Sequence, residues 1–207
     1  LTHIGHSEKV LFMRILLAVL VLIFSFQSWT IADDIKDFEI EGISIGDSLL
    51  DYFSKSEIKE LAVTKYENSD KFYILTTVIS KFVLYDALQF SVKKNDKKYE
   101  IYGMAGIIWF EKNINQCLNK KKEIEKDLNI IFKNSKIESY KESKLPYDPS
   151  GKSKQLSQTQ YIIENGVIGI ECTDFSENMT IEKGYTDNLK IATYSKEYEF
   201  FVRNEAY

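Results

Sequence analysis

Positions 113–134 carry the one long helical pattern of the chain, and it lies between stretches in which apolar residues recur at every second position. Ile114, Cys117, Leu118, Ile124, Leu128 and Ile131 fall on one side of this helix. Lys120, Lys122, Glu123, Lys126 and Asp127 fall mostly on the other, and the triplet Lys120-Lys121-Lys122 reads as a solvated face. The flanking period-two runs are short and bounded by polar turns, which makes them strands. The helix stripe and the strand faces must bury one another, so few architectures remain.

The alternation at 38–45 predicts a first strand, broken by Gly46, after which Asp47 is placed to cap a helix containing Leu49, Leu50, Tyr52 and Phe53. Ser54-Lys-Ser-Glu57 has the form of a capping box and opens a second short helix to about Val63. Strands at 72–79, 82–92 and 99–110 follow, the last two joined by the lysine-rich turn 93–98 as a hairpin. The run 103–110 is apolar on both faces, as in a central strand or a pocket wall. Beyond the helix, 135–157 reads as irregular, centred on Leu145-Pro-Tyr-Asp-Pro-Ser-Gly151. Strands at 156–163 and 167–175 flank the hairpin turn Asn165-Gly166. A loop at 176–186, a last strand at 189–194 and a short helix at 197–204 complete the chain. The order predicts an α+β fold of two layers, a mainly antiparallel sheet with one long helix packed on a face.

The N-terminal stretch sets the compartment. Met13-Arg14 precedes the apolar run 15–26, and Thr30-Ile31-Ala32 places small residues where a signal peptidase reads. Residues 1–12 are read as an upstream non-native extension and 13–32 as a signal peptide, cleaved between Ala32 and Asp33. Residues 33–207 are then a single exported domain, periplasmic or secreted. The apolar run is shorter than the about 20 residues of a membrane span, so no stable membrane insertion is expected after cleavage. In that compartment the only two cysteines, Cys117 and Cys172, are expected to form a disulfide. In the chain-entropy picture, closing so long a loop stabilises by roughly 4 kcal/mol.

Several chemistries fall away. Both histidines, His3 and His6, precede the leader, so the exported part has none. Ser-His-Asp and Cys-His sites are excluded there, as are zinc sites built on histidine. Residues 1–32 hold Lys9, Arg14 and Glu8; of the 27 basic and 31 acidic residues, 25 and 30 remain beyond them, a net charge of −5. Arg203 is then the only arginine. Such a domain is a poor partner for nucleic acid. Gly151-Lys152-Ser153 matches the tail of a phosphate loop, but Pro146 stands where its first glycine belongs. No cofactor and no metal site is expected.

The candidate site residues are few. Asp86 falls on the apolar face of its strand with Leu84 and Leu88, and Asp174 stands two residues after Cys172. A carboxylate on an apolar face must be paired, protonated or exposed at an edge, and a raised pKa would suit acid–base work. Tyr99, Tyr102 and Trp109, with Gly103 and Gly106, are the material for a pocket floor.

Together the stretches 32–53, Tyr99-Glu-Ile-Tyr-Gly103, Tyr147-Asp-Pro-Ser-Gly-Lys-Ser153 and Ile168-Gly-Ile-Glu-Cys-Thr-Asp-Phe175 resemble a group of uncharacterised exported proteins from AT-rich marine alphaproteobacteria. The resemblance implies a bacterial, periplasmic placement and carries over no catalytic residue. The sequence favours a non-catalytic binding or interaction domain for a small ligand or another envelope protein. The competing readings are a carboxylate-based hydrolase of cell-wall or polysaccharide material, using Asp86 and Asp174, and a structural envelope protein.

Overall fold

Residues 34–78, 84–111, 113–145 and 148–206 are described in a computed structural model; the signal peptide expected at 13–32, with cleavage expected between Ala32 and Asp33, lies outside them. Nine strands form one open sheet: β1 (Ala62–Lys65), β2 (Phe72–Thr77), β3 (Ala87–Lys93), β4 (Ile101–Trp109), β5 (Lys136–Tyr140), β6 (Ser143–Lys144), β7 (Lys154–Ile163), β8 (Gly166–Asp174) and β9 (Asn188–Ser195). The order is β1-β2-β3-β4-β9-β8-β7-β5, with β6 paired to β7. All the pairings are antiparallel. The chain climbs through β1–β4, crosses by helix to the far edge and walks back until β9 closes on β4. Their ladder, Gly103↔Tyr194 to Trp109↔Asn188, is the seam between the two halves.

That crossing helix is α2 (Ile114–Ile131), capped by Asn113, whose side chain accepts the Gln116 N–H. Its Cys117 and Leu128 are buried in one core with Ile168, Ile170, Cys172, Leu189 and Ile191. Burying each such side chain fully contributes about 1.5–3 kcal/mol. The Cys117–Cys172 disulfide, Cα atoms 6.0 Å apart, fixes the first turn of α2 to β8.

The lysine triplet is not wholly solvated. Lys121 lies one turn beyond Cys117 and is only 2% exposed. Its Nζ donates to Glu125 Oε1 at 2.5 Å and Thr159 Oγ1 at 3.0 Å, and Thr159 Oγ1 donates to the same carboxylate. Thr159 is on β7 just past a register shift that begins at Leu156, with Ser157 at φ 55° between them. The charge is tolerated because a carboxylate and a hydroxyl meet it.

The expectation of one long helix over one face describes only part of the molecule. On the opposite face α4 (Lys196–Asn204) seats Tyr198 and Phe201 against Phe72, with ring centroids 5.3 and 4.9 Å away. The side chain of Tyr198 lies flat on Gly103, where a Cβ would come within 2.5 Å of its ring.

Three expectations are corrected. The alternation at 38–45 is no strand: Glu41 and Gly42 turn the chain at φ 56° and 75°, leaving a single bridge between Ile40 and Ile43, though Ile40, Ile43 and Ile45 are all buried. The stretch 135–157 holds β5, β6 and the start of β7. The stretch 176–186 holds helix α3 (Glu177–Lys183), capped by the Ser176 side chain and ended by Gly184 at φ 68°. The capping box at Ser54 and Glu57 forms as expected, but its helix, α1 (Lys55–Glu60), stops before β1.

Candidate functional site

The end of the sheet where β4 leaves for α2 holds the candidate site. Asp86 precedes β3, and its N–H donates to the Ile107 carbonyl at 2.9 Å. Its Oδ2 accepts the Trp109 N–H at 2.8 Å, so the side chain continues the β3–β4 ladder where the backbones part. Asp86 is therefore exposed at the sheet end, not held among Leu88 and its buried neighbours.

Trp109 closes β4 and keeps 41% of its surface exposed. The next residue turns away because the Phe110 N–H donates to the Asp187 carbonyl at 2.8 Å. Glu111 follows at φ 21°, and Asn113 then caps α2. Asp86, Trp109, Phe110, Glu111, Asn113 and Gln116 line an open cleft of about 430 Å³. Lys112, between two of them in sequence, lies outside the described residues.

No family model, curated protein or solved structure matches the chain.

The two carboxylates singled out in the sequence are not brought together. Asp174 ends β8, with β9 and β4 between it and β3. At about 4.8 Å per strand the backbones stand roughly 14 Å apart. The carboxylate beside Asp174 is Asp187, a buried side chain that accepts the Phe175 N–H at 2.9 Å. Burial first, then Asp187, raises the Asp174 carboxyl above the usual carboxylate range, against an opposing effect of Lys154.

Nor do Tyr99, Tyr102 and Trp109 share a pocket. Opposite Ser91 and Val92 stand Gly103 and Ile101, so Tyr102 is the extra residue of a bulge. Its ring packs on Phe72 under the Lys93 ammonium, 4.1 Å from the ring centre, on the α4 face. Tyr99 packs against the α2-side core, and its carbonyl accepts the Leu49 N–H at 3.1 Å. Trp109 is at the far end of β4 from both.

Two other features were missed or misread in sequence. An open groove of about 690 Å³ runs beside the β1–β2 hairpin, lined among others by Val63, Tyr66, Phe72 and Tyr73. Its Asp70 and Lys94 side chains pair with each other, and Lys94 holds the Asp70 carboxyl below its usual range. The proline-rich loop is organised by Asp148, whose carboxylate accepts from Ser150 N–H, Ser153 N–H and Ser176 Oγ at 2.9, 2.7 and 3.1 Å. These bonds, those from Ser153 first, hold its carboxyl well below the usual range. The loop thus turns a satisfied acid inward, and the Ser150, Lys152 and Ser153 amides are bonded within it. Among the described residues no group of His, Cys, Asp and Glu is placed to hold a metal, and no helix is long and apolar enough to cross a membrane.

Proposed function

We propose that this chain is a non-catalytic binding domain of the bacterial periplasm or the secreted fraction, and that it holds a small polar ligand in the Trp109 cleft. The observation that carries the reading is the half-exposed Trp109 on a cleft lined also by Phe110, two carboxylates and two amides. A large aromatic left open to solvent beside hydrogen-bonding groups is the material of a ligand site. The long helix on its face of the sheet supplies one wall, and the disulfide beside Gln116 holds that wall still. A hydrolase built on Asp86 and Asp174 would need the two carboxyls roughly 5–10 Å apart, which β4 and β9 between them disfavour.

Trp109 is the only tryptophan beyond the leader, which contains Trp29. The test is a native mass spectrum of the protein purified from a bacterial periplasm, compared with Trp109→Ala. The expected result is a chain starting at Asp33, two hydrogens light, with a reproducible small-molecule adduct that the variant lacks. A clean mass together with a Trp109 emission that no periplasmic small-molecule extract shifts would refute the proposal.

A further inference from the structure

We infer that the outer edge of β1 is a self-association surface, on which a second copy of this chain pairs antiparallel about a two-fold axis and sets its α1 against the groove beside the β1–β2 hairpin.

An open sheet leaves two outer strands, and β1 is one of them. Its ladder is with β2, Ala62↔Thr76 to Lys65↔Tyr73, so half of its N–H and C=O groups point outward, and no described residue bonds them. All four residues of β1 are exposed, Val63 by 55%. Neither a proline nor a bulge blunts this edge. The far edge differs: on β5 Lys136 pairs with Glu138 at 2.6 Å, and Tyr140 donates its hydroxyl to the same carboxylate. Joining β1 of one copy to β5 of the next would leave both ends open and grow without closing. Joining β1 to β1 closes at two copies.

The charges along the edge suit that closed pair. From Lys59 to Glu67 the chain reads Lys-Glu-Leu-Ala-Val-Thr-Lys-Tyr-Glu. With Val63 opposite the second copy's Val63, Lys59 falls toward its Glu67 and Glu60 beside its Lys65. Two-fold symmetry makes each of these contacts twice. Among the described residues none of the four charges forms a salt bridge within its own chain.

The groove lies where the second copy's helix must arrive. α1 runs through Leu61 into β1, so antiparallel pairing puts the second copy's α1 beside the Lys65 end of β1. A two-fold axis normal to the sheet keeps like faces together, and the buried Ile58 and Leu61 place α1 on the α2 side. Val63 and Lys65 stand opposite Leu75 and Tyr73, which pack in the α2-side core, so they lie on that same face. With Tyr66, Glu67 and Tyr73 they line the groove of about 690 Å³. Its Asp70 and Lys94 neutralise each other, which leaves Glu67 to receive the second copy's Lys59, with the lysine stem lying along the groove's apolar wall.

The experiment is sedimentation equilibrium of the chain purified from a bacterial periplasm. A dimer is expected at about 100 µM chain, the micromolar affinity of a small interface. Val63→Lys sets like charges face to face across the axis and should weaken the dimer at least about tenfold, with an unchanged melt because Val63 is exposed. Glu67→Lys should weaken it about tenfold, and Lys59→Glu with Glu67→Lys, which restores opposite charges, should return it to within about twofold of the native chain. A monomer at that concentration would overturn the inference, as would a dimer that Val63→Lys leaves intact or a double variant no tighter than Glu67→Lys alone. A monomer that instead takes up an extended peptide along β1 is the same refutation, with the edge then serving another protein. None of these substitutions falls in the Trp109 cleft, so a Trp109-dependent adduct should persist in every variant.

Discussion

Gln116 and Cys117 are consecutive residues of one helix turn, yet they belong to regions of opposite character. On the Cys117 side the helix–sheet interface leaves little open. The disulfide joins α2 to β8, Lys121, Glu125 and Thr159 close a triangle, and Tyr161 donates its hydroxyl to Asn129 at 3.0 Å. On the Gln116 side, the cleft keeps Trp109 in part open to solvent, with Asp86 bonded only to the Trp109 N–H through its side chain. The difference separates what holds the fold from what the fold presents. A site lined from a helix start that is covalently fixed one residue away needs little reordering to bind, and such preorganisation adds to affinity.

That contrast can be broken most forcefully at the disulfide. Replacing both cysteines by alanine is expected to cost about 2–5 kcal/mol of stability, read by denaturant unfolding. It should also weaken cleft binding, because α2 loses its anchor beside Gln116. A next step down is Lys121→Ala, which leaves the partly exposed Glu125 facing Thr159 without its cation; about 2 kcal/mol is expected, less than for a fully buried pair. Lys121→Met, which fills the space, should recover much of that loss if packing rather than charge matters most there.

Smaller and pH-dependent is the effect of Asp174. Its carboxyl is raised in the folded chain, first by burial and then by Asp187, so the native state keeps the proton longer than the unfolded chain. Stability therefore falls as pH rises through the ordinary carboxylate range, and the loss is complete above the native pKa. Asp174→Asn should be more stable than the native chain at neutral pH, with the difference closing in acid; thermal melts across that range would show it. Least of all for stability, Trp109→Ala should stay within about 0.5 kcal/mol of the native chain while losing ligand. A large loss of stability instead would move Trp109 from the presenting region to the holding one.

Much of the fold was legible where local rules and tertiary packing agree. The Asn165-Gly166 hairpin, the Ser54 capping box and the amphipathic stripe of α2 form close to their expected limits, while β3 of the expected β3–β4 hairpin begins at Ala87 rather than at 82. The pattern failed at β5, because an edge strand exposed on both faces has no alternation to read. It failed at 38–45 for the opposite reason: the isoleucines alternate because all are buried, while the Glu41-Gly42 turn prevents a strand. The site was half legible. Asp86 and Trp109 were each noticed, but their pairing depends on β3–β4 register, and that of Asp86 with Asp174 on strand order.

By itself the sequence determined the absence of histidine beyond His6, the acidic balance, the strand-rich pattern around one helix and the pair of cysteines able to bridge it. Each is a property of residues taken singly or at short spacing. Only the tertiary structure decided that β9 closes on β4, that α4 covers the face opposite α2, that Lys121 is buried and that Trp109 stands open beside Asp86. Those outcomes depend on which distant segments meet, and sheet order and register are set by the packing of the whole chain rather than by any window of it.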